Sequence, residues 1–257
     1  MVIDTHAHLT SDLMLPHLSE VLQRAMDAGV EKIVNICTDV KSLQEGIALE
    51  KTCPWVYTTA ATTPHDVETE GEGFFPVVER AALEQRLVAL GETGLDYFYK
   101  HSDKRVQQQF LSRYFSLAKK AKLPLVFHCR EAFGDLFSMA DEQYKALPAL
   151  LHCFTGSLQE AKEVLDRGWL ISLSGILTFK KSENLREVAK YVPLESLVIE
   201  TDSPYLAPQS QRGKSNEPAF VIEIAKTLAS IKGINLDEVA RVTTDNAKRF
   251  FSFSKQE

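Results

Sequence analysis

Eight short apolar runs punctuate this chain, at 1–7, 32–38, 56–62, 87–92, 124–129, 149–154, 169–174 and 197–202. Between them lie longer stretches whose apolar residues recur at helical spacing, such as Leu18, Val21, Leu22 and Ala25, or Phe110, Tyr114, Leu117 and Ala121. Gly29, Gly168 and Gly233 read as helix stops, Ser157 and Asn235 as helix starts. Strand–helix alternation of this kind builds a parallel sheet, and eight repeats fit a closed (β/α)8 TIM barrel better than an open one. A doubly wound sheet is the competing architecture, but neither GxGxxG nor a P-loop follows the first run. The repeats lack the self-similarity of a solenoid. Without a linker or low-complexity tract, the 257 residues read as a single α/β domain, 1–257, closed by an extra helix at 236–253.

Hydrophobic residues make up 44% of the chain and charged residues 25%, ordinary for a globular protein with a full core. A net charge of −6 argues against coating nucleic acid by bulk electrostatics, though a few local cations can still grip one strand end. No apolar stretch approaches the roughly 18 residues of a bilayer span, and the chain enters its first strand without a basic leader. No membrane association, no obligate protein partner and a cytoplasmic location are therefore expected. Cys37, Cys53, Cys129 and Cys153 form no CxxC pair and are expected to be free thiols.

Residue types that bind metals fall at the C-terminal ends of the runs: His6 and His8, Glu92, His128, His152 and Asp202. Hydrolytic barrels assemble metal sites from such strand ends. His6 and His8, two apart in a strand, share a face, so both imidazoles can grip one cation. Glu92 follows an apolar run, where a carboxylate must be paired, hydrogen-bonded or on a metal; a salt bridge to a core arginine is the plainer option. The glycines around it suggest a tight loop. Alternation puts His128 and Arg130 on one face and turns Cys129 toward the outer helices, which makes Cys129 and Cys153 packing residues. Glu200 and Asp202 share a face at the end of the last run, before Pro204 stops ladder pairing. Asp202 could ligate metal and accept the proton of an attacking water; the alternative is a carboxylate pair bonded into the barrel rim.

Substrate contacts are expected from His65, just past the third run, and from Arg212, Lys214 and Asn216 in the polar loop 203–217. Guanidinium and ammonium groups there suit a phosphate oxyanion, and Arg130 suits it better because it shares a face with His128. Tyr97, Phe98 and Tyr99 could stack on bases or simply pack their loop. His17 and His101 read as surface residues.

The ordered motifs DTHAHL, GETGLDY, FHCR, HCFTGS, ETDSPYLAP and RGKSNEP resemble the TatD family of metal-dependent deoxyribonucleases, within the amidohydrolase-like barrels, over essentially the whole chain. The resemblance implies a binuclear site, with His6, His8 and Asp202 on one ion, His128 and His152 on the other, and Glu92 bridging. It implies metal-dependent DNA hydrolysis, typically 3′→5′ exonuclease action on single-stranded or frayed ends, with Asp202, Glu92 and Arg130 carrying the chemistry. Mixed imidazole and carboxylate ligands accept zinc, manganese or magnesium. One departure stands out: the family often carries GxHPH after the third strand, where this chain has Thr62-Thr63-Pro64-His65. Two rivals remain: a small-molecule amidohydrolase or esterase using the same ions, and a non-catalytic scaffold with a structural metal.

Overall fold

The structure, a computed structural model, describes residues 1–253. Its strands are β1 (Val2–Ala7), β2 (Val30–Cys37), β3 (Val56–Ala60), β4 (Leu90–Asp96), β5 (Leu125–Arg130), β6 (Ala149–Leu151), β7 (Leu170–Leu173) and β8 (Leu197–Ile199). Neighbours pair in parallel in chain order, β1 to β3 in one arc and β4 to β8 in another. Isolated parallel bridges join the arcs, Thr59 with Ala89 and Ala7 with Ser203. The result is the TIM barrel that the alternation predicts.

Alternation along each strand explains the two layers of the core. Ile3, Val34, Ile36, Val126, Leu150 and Val198 point inward and fill the barrel. Their neighbours Ile33, Leu125, Phe127, Leu151 and Leu197 point outward against the helices. The helix Leu236–Phe251 plugs one end of the barrel with Ala247 and Phe251. Helix ends follow their capping chemistry. Asn235 accepts the Glu238 amide, and Ser157 and Glu160 form a reciprocal box at the start of Leu158–Asp166. Gly233, at φ 68°, ends Val221–Lys232 in the left-handed conformation that glycine adopts without a Cβ clash. The helix Lys104–Ala121 buries Phe110, Leu111, Tyr114, Phe115 and Leu117, each contributing about 1.5–3 kcal/mol. Among the described residues no helix is long and apolar enough to cross a membrane.

The boundaries correct the sequence reading in three places. β4 begins at Leu90 and runs on to Asp96, so Gly91 and Gly94 lie in a strand, not a tight loop. A Cβ on Gly94 would stand 2.0 Å from the His128 carbonyl oxygen, and one on Gly91 would meet Val126 at 2.6 Å. These glycines let β4 press against β5. β6 and β8 stop early, at Leu151 and Ile199, and positive φ at Cys153 (43°) and Asp202 (58°) breaks the extended alternation beyond them. The closing helix ends at Phe251, two residues short of the expected 253, because Ser252 turns left-handed.

Candidate metal centre

The strand ends open onto a cleft of roughly 610 Å³ whose lining includes His8, His65, Glu92, His128, His152 and Asp202. His6 lies fully buried beneath it. Glu92 Oε2 is the point of convergence: it stands 2.7 Å from His152 Nε2, 3.5 Å from His6 Nε2 and 3.9 Å from His128 Nδ1. Asp202 Oδ1 lies 3.4 Å from His8 Nε2 and 3.7 Å from His6 Nε2. The rings of His6 and His152 stack with centroids 3.9 Å apart. Three overlapping sets, His6/His8/Glu92, His6/His152/Asp202 and Glu92/His128/His152, each bring donor atoms within 4.8 Å of one another.

This arrangement fits divalent cations. Among the described residues neither ring nitrogen of His6 has a hydrogen-bond partner, although both are buried, and a buried polar atom left unpaired is costly. Separations of 3.4–3.7 Å are too long for good hydrogen bonds. They lie at the upper end of, or just beyond, the roughly 3–3.6 Å between atoms that share one ion at about 2.0–2.2 Å, whereas Glu92 and His152, at 2.7 Å, bond each other directly. Electrostatics separate the two stacked histidines. Burial opposes the charge on Glu92, yet His152, by charge and by hydrogen bond, holds its carboxyl well below the usual range. Burial, reinforced by His152, keeps His6 well below its ordinary value and therefore neutral, its lone pair free for a cation. Burial works against a charged His152 too, but Glu92 and Glu200 carry it well above the ordinary value, so a cation bound here must displace its proton.

Three buried carboxylates hold these ligands in place. Asp4 accepts the Thr201 amide at 2.9 Å, the Thr201 hydroxyl at 2.6 Å and, more weakly, the His6 amide at 3.3 Å, tying β1 to the loop after β8. Glu200 Oε1 accepts the Cys153 amide at 2.6 Å and lies 3.4 Å from His152 Nδ1. Asp96 Oδ2 bonds His128 Nε2 at 2.9 Å, while Oδ1 accepts the Phe98 and Tyr99 amides. His65 Nε2 lies 3.6 Å from the same Asp96 oxygen. A carboxylate behind an imidazole fixes its tautomer and raises its basicity as a ligand.

The six expected metal-type residues thus come together, and Arg130 and His65 line the same cleft. Arg130 donates to the Tyr99 hydroxyl at 3.1 Å, and its guanidinium packs over Phe98 and Tyr99. Those aromatics therefore pack an arginine as well as their loop. Arg212 and Lys214 lie outside the cleft lining, Arg212 over the Phe179 ring and Lys214 bonded to Gln211. Asn216 does not line the cleft. It is buried, and its amide nitrogen donates to the Thr201 and Tyr205 carbonyls at 2.8 and 2.6 Å. Cys153 is not turned outward either: it lines the cleft, with Sγ 3.2 Å from Ser174 Oγ, because its positive φ breaks the alternation. Cys129 is buried in the outer core layer at the edge of the cleft. Burial pushes both thiols up, which removes them as nucleophiles.

His17 is exposed as expected, whereas exposed His101 stacks on Tyr99 and meets His65 edge-on. Where the family's first histidine would stand, Thr63 bonds Asp66 at 2.8 Å. Sequence reasoning missed Asp96, although the signal was present: Glu92, Gly94 and Asp96 alternate on one face once β4 is allowed to continue.

A parallel barrel with histidines and carboxylates converging at its strand ends defines a metal-dependent hydrolase. Residues 3–252 match the TatD related DNase family, and the chain belongs to it. It is 34% identical over 252 residues to the uncharacterized metal-dependent hydrolase YabD of Bacillus subtilis, covering 98% of this chain and 99% of that one. The 3′-5′ ssDNA/RNA exonuclease TatD of Salmonella typhimurium is 31% identical, covering 97% of this chain and 98% of that protein. Among solved structures, the TatD homologue YJJV of Escherichia coli superposes with a TM-score of 0.92 at 28% identity, covering 98% of each chain. An organophosphorus hydrolase from Deinococcus radiodurans shares the fold, with a TM-score of 0.69 at 13% identity.

Proposed function

We propose that the protein is a metal-dependent deoxyribonuclease that removes nucleotides from the 3′ ends of single-stranded or frayed DNA in the cytoplasm, as one 1–257 unit. The observation that carries this reading is the position of Glu92, between a His6/His8 pair and a His128/His152 pair. The Salmonella relative's named activity supports the choice of substrate, and the free cysteines suit a reducing compartment.

Two divalent ions, zinc, manganese or magnesium, held by His6, His8 and Asp202 and by His128 and His152 with Glu92 shared, would acidify a water and neutralise phosphoryl oxygens. Asp202 stands at the cleft floor, in position to accept the water's proton. Arg130, held by Tyr99, offsets charge that grows on the phosphate, and His65 lies within reach of the same group. Arg212 and Lys214, on the exposed loop, touch the strand beyond the cleft.

The test follows 5′-labelled single-stranded DNA incubated with chelator-stripped protein and then each metal. The expected result is a ladder shortening from the 3′ end, restored by metal and absent in Asp202→Ala. No cleavage by protein shown to hold two ions would reject the nuclease and leave a small-molecule amidohydrolase or esterase. Failure to turn over esters or amides as well would leave a scaffold.

A further inference from the structure

Tyr205, on the loop after β8, takes no part in the chemistry just described. Its ring is 51% exposed at the mouth of the cleft and stands edge-on to His8, with centroids 5.7 Å apart. Its hydroxyl has no hydrogen-bond partner among the described residues. The backbone beneath it is firmly held. The Tyr205 amide donates to the Asp202 carbonyl at 2.9 Å, and its own carbonyl accepts from Asn216 at 2.6 Å. The next residue is clamped as well: a Cβ on Gly175 would lie 2.0 Å from the Leu206 carbonyl oxygen. A half-exposed ring on a pinned loop loses little freedom when something lands on it.

The opposite rim differs. Tyr99, after β4, is 48% exposed, but its hydroxyl accepts from Arg130 and its ring stacks on His101 and abuts His65. That rim is occupied by its own contacts. The Tyr205 rim lacks them and sits beside Asp202, where the proton transfer would occur. A chain of net charge −6 also has little general attraction for a polyanion, so part of its grip must come from contacts other than charge.

We propose that Tyr205 is a stacking platform for the nucleobase adjoining the scissile phosphate of a single-stranded substrate. The proposal rests on the nuclease reading and deepens it. Every base offers a flat π-face, so the platform accepts any base, and each stacked base strengthens binding about 5- to 150-fold.

The test uses oligonucleotides carrying 2-aminopurine at the last or the penultimate position, titrated with the metal-loaded protein under conditions too brief for turnover. With wild type, the fluorescence of one of the two probes should be quenched by stacking. Tyr205→Leu should lose the quench and weaken binding at least about fivefold, with an unchanged melting temperature. Tyr205→Phe should keep both quench and affinity. Equal quenching and affinity in Tyr205→Leu would overturn the proposal while leaving the nuclease reading intact. Loss in Tyr205→Phe as well would assign the hydroxyl to a phosphate contact and overturn it too. Wild type that binds neither probe with any metal would remove the nuclease reading and the platform together.

Discussion

Backbone bonds seat all four histidines, and His128 and His152 have in addition a buried carboxylate behind the ring. On the first side, the His8 amide donates to the Ser203 carbonyl at 2.7 Å and the Asp202 amide to the His6 carbonyl at 2.9 Å. Asp4 locks the same seam from below. Among the described residues no carboxylate stands behind the His6 ring, and neither of its nitrogens has a hydrogen-bond partner. On the second side, His128 pairs with Gly94 in the β4–β5 ladder and the His152 amide donates to the Phe127 carbonyl at 3.0 Å, while Asp96 bonds the His128 ring at 2.9 Å and Glu200 stands 3.4 Å from His152 Nδ1. Both halves are anchored by the sheet, and the second adds carboxylates: Asp96 sets the tautomer and basicity of His128, and Glu200 draws positive charge onto His152. Glu92 faces histidines of both halves, and His152 reaches across to His6 and Asp202.

That contrast can be broken at several points. Glu92→Gln should do the most damage, since it removes the shared ligand: turnover should fall more than a hundredfold, beyond the effect of any supporting group, and bound metal measured by elemental analysis should drop below two ions per chain. Retention of two ions would show that the halves do not depend on their common carboxylate.

Glu200→Gln and Asp96→Asn should each weaken one metal step about 10- to 100-fold in a calorimetric titration and leave the other step alone. Equal weakening of both steps would erase the distinction between the halves. Asp4→Ala leaves the Thr201 amide and hydroxyl and the His6 amide without their acceptor. It should cost about 1–3 kcal/mol in denaturant unfolding, with the His6/His8 step weakened and the His128/His152 step kept. The smallest effects belong to Arg212→Ala and Lys214→Ala, which should weaken DNA binding evenly across sequences and lower its salt slope by about one each. Slopes unchanged from wild type would place that loop off the strand's path.

Much of this was legible before any coordinates, for a physical reason. Strand periodicity fixes which residues share a face, so His6 with His8, and His128 with Arg130, could be paired from spacing alone. Residues beyond a strand's last ladder bond escape that logic. Cys153 and Asp202 have positive φ, and nothing in their neighbours' polarity announces it. The glycines of β4 were legible as a need for close approach, but not as an approach to a neighbouring strand, which hid Asp96. The structural part of Asn216 was hidden because a polar side chain in a polar loop suggests solvent or substrate, whereas its amide satisfies two carbonyls that the loop would otherwise bury unpaired.

The seam between Ala7 and Ser203 also bears on how the protein is made. Asp4 and Thr201 are separated by 197 positions along the chain, so half of the cleft joins the first strand to the last. A ribosome releases those partners in order, and pairings so distant in sequence form slowly. Until the segment around Thr201 has emerged, His6 and His8 lack Asp202, and no truncated product that stops earlier can assemble the full ligand set. Assembly of the candidate centre therefore waits for β8 and the loop after it, which spares the cell a half-made hydrolase with a working centre.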